Sequence, residues 1–212
     1  RGGGYARDVP KEAWKPFKEK ISEARIYLEK HKHLSDIDPH WYEQMIIIAM
    51  AQGWRKDAFY ELMDEALLKH PKFYEIYFKA IGYLLPKWRG SVAEIEKFAD
   101  YATKKSRAHE GNGMYARIYW YASQIEFGHK LFTKSNARWK QMKKGIDDVL
   151  KHYPDQWNIN NFAVFSCLAR DKQMTKKLMD MMQGEPIMTA WKKDELYTYC
   201  DKWTKKKRVA SK

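Results

Sequence analysis

His31 and His33 form the one close histidine pair in the chain. Residues two apart on a helix point to different sides, so this pair could chelate a metal only from an extended segment. No cysteine lies nearby and no second histidine stands four residues on, so a helix end is the simpler reading. Ser35, Ser91, Ser106, Ser123 and Ser135 lack the Gly-x-Ser-x-Gly elbow of an activated nucleophile and suit helix caps instead. The run Gly2–Gly4 precedes neither a strand nor a Gly-Lys-Ser/Thr sequence, so it is no phosphate loop. Asp64/Glu65 and Asp147/Asp148 are adjacent carboxylates, which diverge by about 100° on a helix and make poor acid/base couples. They read as solvated faces and inter-helix ion pairs. No catalytic residue, metal or cofactor is expected from these patterns.

Charge is the strongest signal that packing does not explain. The chain carries 40 Lys/Arg against 27 Asp/Glu, a formal +13. From Asn112 onward the balance is 20 against 10, while the preceding stretch is 20 against 17. Lys140, Lys143, Lys144 and Lys151 follow one another along a single helix, and Lys205–Arg208 forms a basic tail. Such a surface suits an anionic partner, whether acidic protein, nucleic acid or lipid head groups. Aromatic residues interleaved with these cations could stack bases, but most fall at core spacing and no nucleic-acid module is present.

The elements that position these residues are helices. Trp14, Phe17, Ile21, Ala24 and Leu28 keep a 3/4 spacing over about Lys11 to Lys30. Trp41, Met45, Ile48 and Ala49 mark a second helix ended by Gly53, and Phe59, Leu62, Met63, Ala66 and Leu67 a third stopped by Pro71. Phe73, Tyr77, Ile81 and Leu84 precede Pro86, and Ser91 with Glu94 fits a capping box for a helix carrying Ile95, Phe98, Ala99 and Ala102. Tyr115, Ile118, Ala122 and Ile125 follow the glycines at 111 and 113. Ser135 or Asn136 is expected to cap a helix with Trp139, Met142, Ile146, Val149 and Leu150 inward. Phe162, Phe165 and Leu168 come next, then Met174, Leu178, Met181 and Met182, and finally Leu196, Tyr199 and Trp203. Trp88 is expected to pack the turn after Pro86.

One phrase recurs. EALLKHPKFYEIYF around Pro71 returns as DDVLKHYPDQWNINNFA around Pro154, 83 residues later, with a shorter echo at Pro39. His70 and His152 hold matching places, where a histidine can bond the last free carbonyls of a helix. The predicted fold is all-α: an irregular tetratricopeptide-like array of about ten helices stacked as antiparallel pairs. The expected organisation is a flexible segment over 1–10, one helical-repeat domain over 11–204 and a basic tail over 205–212. No apolar run approaches the ~18 residues of a membrane helix. Cys167 and Cys200 read as two small apolar residues in a reducing compartment, with one disulfide in an exported protein as the alternative. Because the sequence opens on Arg1 rather than methionine, an upstream signal peptide, domain or tag is a further expectation.

The opening RGGGYARDVPKEAWKPF, DPHWYEQM at 38–45, AQGW at 51–54 and YLLPKWRGS at 83–91 together resemble a bacterial domain family of unknown function, often labelled tetratricopeptide-like. YARIYW at 115–120 and the run Trp157–Ala163 fit the same pattern. The resemblance implies an all-helical bacterial protein and brings no catalytic residue with it; localisation stays open between the bacterial cytoplasm and the periplasm.

Function then rests on surfaces. A concave face lined by Tyr42, Tyr74, Tyr83, Arg117, Tyr121 and Asn161 is the expected binding surface of a non-catalytic protein–protein interaction module, such as an immunity or secretion accessory protein. Arg117 sits among Tyr115, Tyr119, Trp120 and Tyr121, where it either stacks and pairs with a neighbouring carboxylate or anchors a partner. Asn158, Asn160 and Asn161 either close helix-end hydrogen bonds or clamp an extended backbone. The competing classes are RNA binding through the basic second half and a hydrolase whose site assembles on folding.

Overall fold

The computed structural model describes residues 9–88 and 90–206. The expected flexible start and most of the basic tail therefore lie outside the described residues. Among those described, every regular element is helical. The chain divides into two compact units, Arg1–Ile95 and Glu96–Lys212.

The first unit contains α1 (Trp14–Lys30), α2 (His40–Gln52), α3 (Lys56–Lys69) and α4 (Tyr74–Leu84), with short 3-10 turns between some of them. α2 is its centre and packs on α1, α3 and α4. Trp41, Tyr42, Met45, Ile46, Ile48 and Ala49 are all buried, so this helix is apolar around most of its circumference. It closes on Gly53, whose φ of 63° is a left-handed cap. α1 differs: no residue of it is buried, and Ile26 and Tyr27 face solvent.

α5 (Val92–Glu110) begins before the boundary at Ile95 and continues into the second unit. The Ser91 hydroxyl accepts from the Glu94 N–H as the capping box requires, while the Glu94 carboxylate pairs with Lys56. There follow α6 (Gly113–Ala122), α7 (Leu131–Lys134), α8 (Trp139–His152), α9 (Gln156–Leu168), α10 (Lys172–Asp180), α11 (Met188–Trp191) and α12 (Asp194–Lys205). α8 lies against α6, α9 against α10 and α11, and α12 against α10. Ten of these helices have nine residues or more among the described residues, and the pairwise packing gives an all-α scaffold.

The recurrent phrase has a structural counterpart. α3 and α8 are both 14 residues long and start after an arginine in extended conformation, Arg55 and Arg138. They end alike, at His70 (φ −128°, ψ 58°) and Tyr153 (φ −135°, ψ 66°), each followed by the repeat proline. Burial follows the same 83-residue offset: Phe59, Met63, Ala66 and Leu67 correspond to Met142, Ile146, Val149 and Leu150. It persists through Ile76, Ala80, Ile81 and Leu84 against Ile159, Ala163, Val164 and Cys167. Some core positions depart sharply, with Tyr77 matched by Asn160 and Leu62 by Gly145. A Cβ on Gly145 would lie 2.6 Å from the Asn112 carbonyl oxygen and 3.0 Å from Ala116 Cβ, so glycine lets α8 approach α6 closely.

Other expectations need correction. Cys167 and Cys200 are joined as a disulfide, so they are not two free thiols. Their Cα atoms stand 6.0 Å apart where α9 and α12 converge, a separation suited to a bridge. At the 83-residue offset His70 aligns with Tyr153, so His70 and His152 do not hold matching places, and they do not share a capping role. His70 Nε2 contacts the Ser35 carbonyl at 2.6 Å, on a different element, whereas His152 is exposed. The Asn112 N–H and side-chain amide both donate to Asp148, so one acidic pair secures a turn as well as forming ion pairs. Ser135 accepts from Ala137 N–H in the turn before α8 instead of capping that helix. Trp88 stays 40% exposed, and on α12 it is Cys200, one residue past Tyr199, that faces the core.

Candidate binding surfaces

The six residues expected to line one surface divide three to each unit, and each has its own surroundings. Tyr42 is fully buried and donates to Ser35 Oγ and Glu65. Tyr83 is buried too, stacked on Phe59 at 3.9 Å, and donates to the Trp54 carbonyl. Both are core residues and not walls of an open groove. The 3/4 pattern identifies one apolar face of a helix, and α2 and α4 bury more than one. Tyr74 is half-buried, edge-on to Tyr77. Arg117 pairs with the buried Glu110 at 3.0 Å and lies over the Tyr153 ring, which is the stacked and paired arrangement. Tyr121 is half-buried at the end of α6.

The three asparagines are largely helix-end fittings. Asn158 donates to the Tyr153 carbonyl, and its N–H is capped by Asp155. Asn160 does clamp an extended backbone, but that of its own chain: its Oδ1 accepts from Ile187 N–H and from the Trp191 indole, each at 3.0 Å. Asn161 donates to the Trp157 carbonyl and, unlike Tyr42 and Tyr83, borders an open cavity.

That cavity is a cleft in the second unit of about 400 Å³, counted out to open solvent. Trp120, Trp157, Val164, Phe165 and Ala190 supply its apolar wall. Asn161, Gln124, Thr189, Ser123, His129 and Lys192 supply polar groups, and no carboxylate lines it among the described residues. Irregular backbone builds the rim. After α6 the chain widens into a π-helical turn, Ser123–Phe127, in which Gly128 N–H reaches back to the Ser123 carbonyl. Gly128 then takes φ 52°, ψ −138°, a conformation essentially confined to glycine. Opposite, α11 is closed by Lys192 at φ 63°, a left-handed conformation unfavourable for lysine by roughly 1 kcal/mol. Burial, with Lys192 and Lys193 nearby, lowers the His129 pKa and favours the neutral imidazole. Its Nε2 is buried without a hydrogen-bond partner among the described residues.

A second surface lies on α8. At 100° per residue, Lys140, Lys144 and Lys151 fall within about 40° of one another on the helix circumference. All three are exposed and have no counter-ion among the described residues. The remaining charges of the helix are engaged: Lys143 with Asp171 at 2.7 Å, Asp147 with Lys177 at 3.6 Å, and Asp148 with Asn112. Of the four lysines the sequence placed along this helix, three form the stripe and Lys143 does not. The sequence missed the cleft, because a π turn leaves no periodic signal and Lys192 acquires its place from α11 docking on α9.

Among the described residues no group of three or more His, Cys, Asp or Glu side chains is placed to hold a metal ion. No described helix is long and apolar enough to cross a membrane. Residues 28–121 match the model of a family described as a domain of unknown function (DUF4034), in keeping with the resemblance seen in the sequence. Neither a curated protein nor a solved structure matches the chain. The matched span includes Trp120 alone of the residues that line the cleft, and the α8 stripe lies beyond it.

Proposed function

We propose that this chain is a non-catalytic interaction module on a tetratricopeptide-like helical array, and that its second unit engages an acidic protein partner. The observation that carries this reading is the α8 stripe, three aligned lysines left unneutralised beside charges that are paired. Desolvating such cations costs least when a partner supplies carboxylates, and the uncovered field would speed encounter. An acidic protein is favoured over single-stranded nucleic acid because the two aromatic rings that flank the stripe in sequence are both engaged. The Trp139 indole N–H is held by Asp171 and its ring packs on Phe132, while Tyr153, 49% exposed, already carries Arg117 over its ring.

The test compares the wild type with the triple variant Lys140→Glu, Lys144→Glu, Lys151→Glu in affinity capture from the source cells. An acidic protein retained by the wild type and lost from the variant is the expected result. A labelled single-stranded RNA probe at about 50 mM salt is expected to show no binding. RNA binding that weakens steeply with salt and disappears in the variant would replace this reading with the nucleic-acid one. Equal capture of the same proteins by both chains would overturn it.

A further inference from the structure

Besides Trp203, which stacks on Tyr199 away from the cleft lining, the tryptophans of the second unit fall into two kinds. Trp139 and Trp191 donate their indole N–H to Asp171 and Asn160 and act as structural members. Trp120 and Trp157, at the cleft, have no hydrogen-bond partner for the indole N–H among the described residues. The same holds for the side chains of Gln124, Thr189 and Lys192 and for Asn161 Oδ1, since Asn161 spends only its amide nitrogen on Trp157. The cleft therefore concentrates unused donors and acceptors around two indoles, one of them 42% exposed.

From this arrangement we infer that the cleft is a saccharide site, taking a pyranose ring that bears a carboxylate. A pyranose presents an apolar C–H face and a rim of hydroxyls that both donate and accept. The Trp157 face suits the first, and Asn161 Oδ1, Gln124 and Thr189 suit the second. The two indole centroids are 6.4 Å apart and tilted by 38°, too close to admit a ring between them. The sugar must lie across the exposed indole, which suits a shallow cleft open on one side. A simple aliphatic acid would fill the apolar wall but leave the amides and the threonine hydroxyl without partners. The acidic substituent follows from Lys192, the ammonium in the lining, and from the absence of any opposing carboxylate among the described lining residues.

The experiment follows the tryptophan indole resonances of the ¹⁵N-labelled chain during titration. The probes are the methyl glycosides of glucuronic and galacturonic acid, those of glucose and galactose, and hexanoate. At least one acidic glycoside is expected to shift the Trp120 and Trp157 signals. Its neutral counterpart should do so about threefold more weakly, and hexanoate not at all. Trp157→Ala should abolish the response while the Trp139 and Trp191 signals hold their positions, reporting an intact fold. Lys192→Ala should retain the sugar response and lose the preference for the acid. Failure of every glycoside, or a response that survives Trp157→Ala, overturns the inference. So does a response to hexanoate equal to that of the sugars.

Discussion

At the scale of single residues, charges in the first unit are tied into the packing. Glu65 accepts from Lys32, Lys69 and the buried Tyr42 hydroxyl, at 2.9, 3.0 and 3.0 Å. Burial pushes its carboxyl pKa up, but the three donors outweigh burial and bring it from 4.5 down to about 2. A folded-state value below the unfolded one means the carboxylate contributes stability above pH 4.5, lost as pH falls through about 2. Glu65→Gln is expected to melt below the wild type at neutral pH, with the gap closing as the medium is acidified over that range. Melting curves at matched ionic strength decide it, and a constant gap would show the ionised form to be idle. Little of this was legible in the sequence. Periodicity placed Leu67 inward and Glu65 on a charged face, but Tyr42 reaches Glu65 across 23 positions of chain.

At the scale of helices, the sequence was most informative where apolar spacing and proline agreed. The ends of α3 and α8, and their matched buried faces, could be read from the recurring phrase. Spacing between helices could not, and Gly145 illustrates why. Gly→Ala in a helix interior ordinarily gains about 1 kcal/mol. Here the added methyl meets the Asn112 carbonyl, a backbone group that cannot turn aside, and overpacking costs about 1–3 kcal/mol. Gly145→Ala is therefore expected to destabilise the chain. In α4 the neighbour nearest to a Cβ on Gly82 is Met50 Sδ at 3.8 Å, so Gly82→Ala should stabilise by about 0.5–1 kcal/mol. Urea denaturation of the two variants side by side checks both signs.

For the molecule as a whole, apolar spacing pointed to an all-helical chain and composition to a strongly basic one, and the structure adds two compact units and a covalent tie. The disulfide joins residues 33 apart in sequence, linking the end of α9 to α12. By loop-closure entropy a ring of that size contributes about 3–4 kcal/mol. The Cys167→Ala, Cys200→Ala double variant should lose about that much in urea and become indifferent to reductant, while the wild type shifts toward it when reduced. Coincident wild-type curves with and without reductant, each with the thiol state verified, would show the bridge to be energetically silent. Two cysteines in the sequence could not announce this pairing, because the proximity of their Cα atoms depends on how α10 and α12 pack.

The repeated helix pair has a consequence for recognition. The positions that carry Lys140, Lys144, Asp147 and Lys151 on α8 are occupied on α3 by Asp57, Glu61, Asp64 and Leu68, all exposed. The two repeats thus share much of a buried alphabet but differ in the outer one: Asp57 and Glu61 stand where α8 has Lys140 and Lys144, Leu68 where it has Lys151, and the fourth position is aspartate in both. A ligand that fits the α8 face by charge does not find the same charges on α3, so the recurring phrase does not supply two equivalent docking places. Whatever reads this chain must distinguish its halves, and a shared scaffold gives each an address of its own.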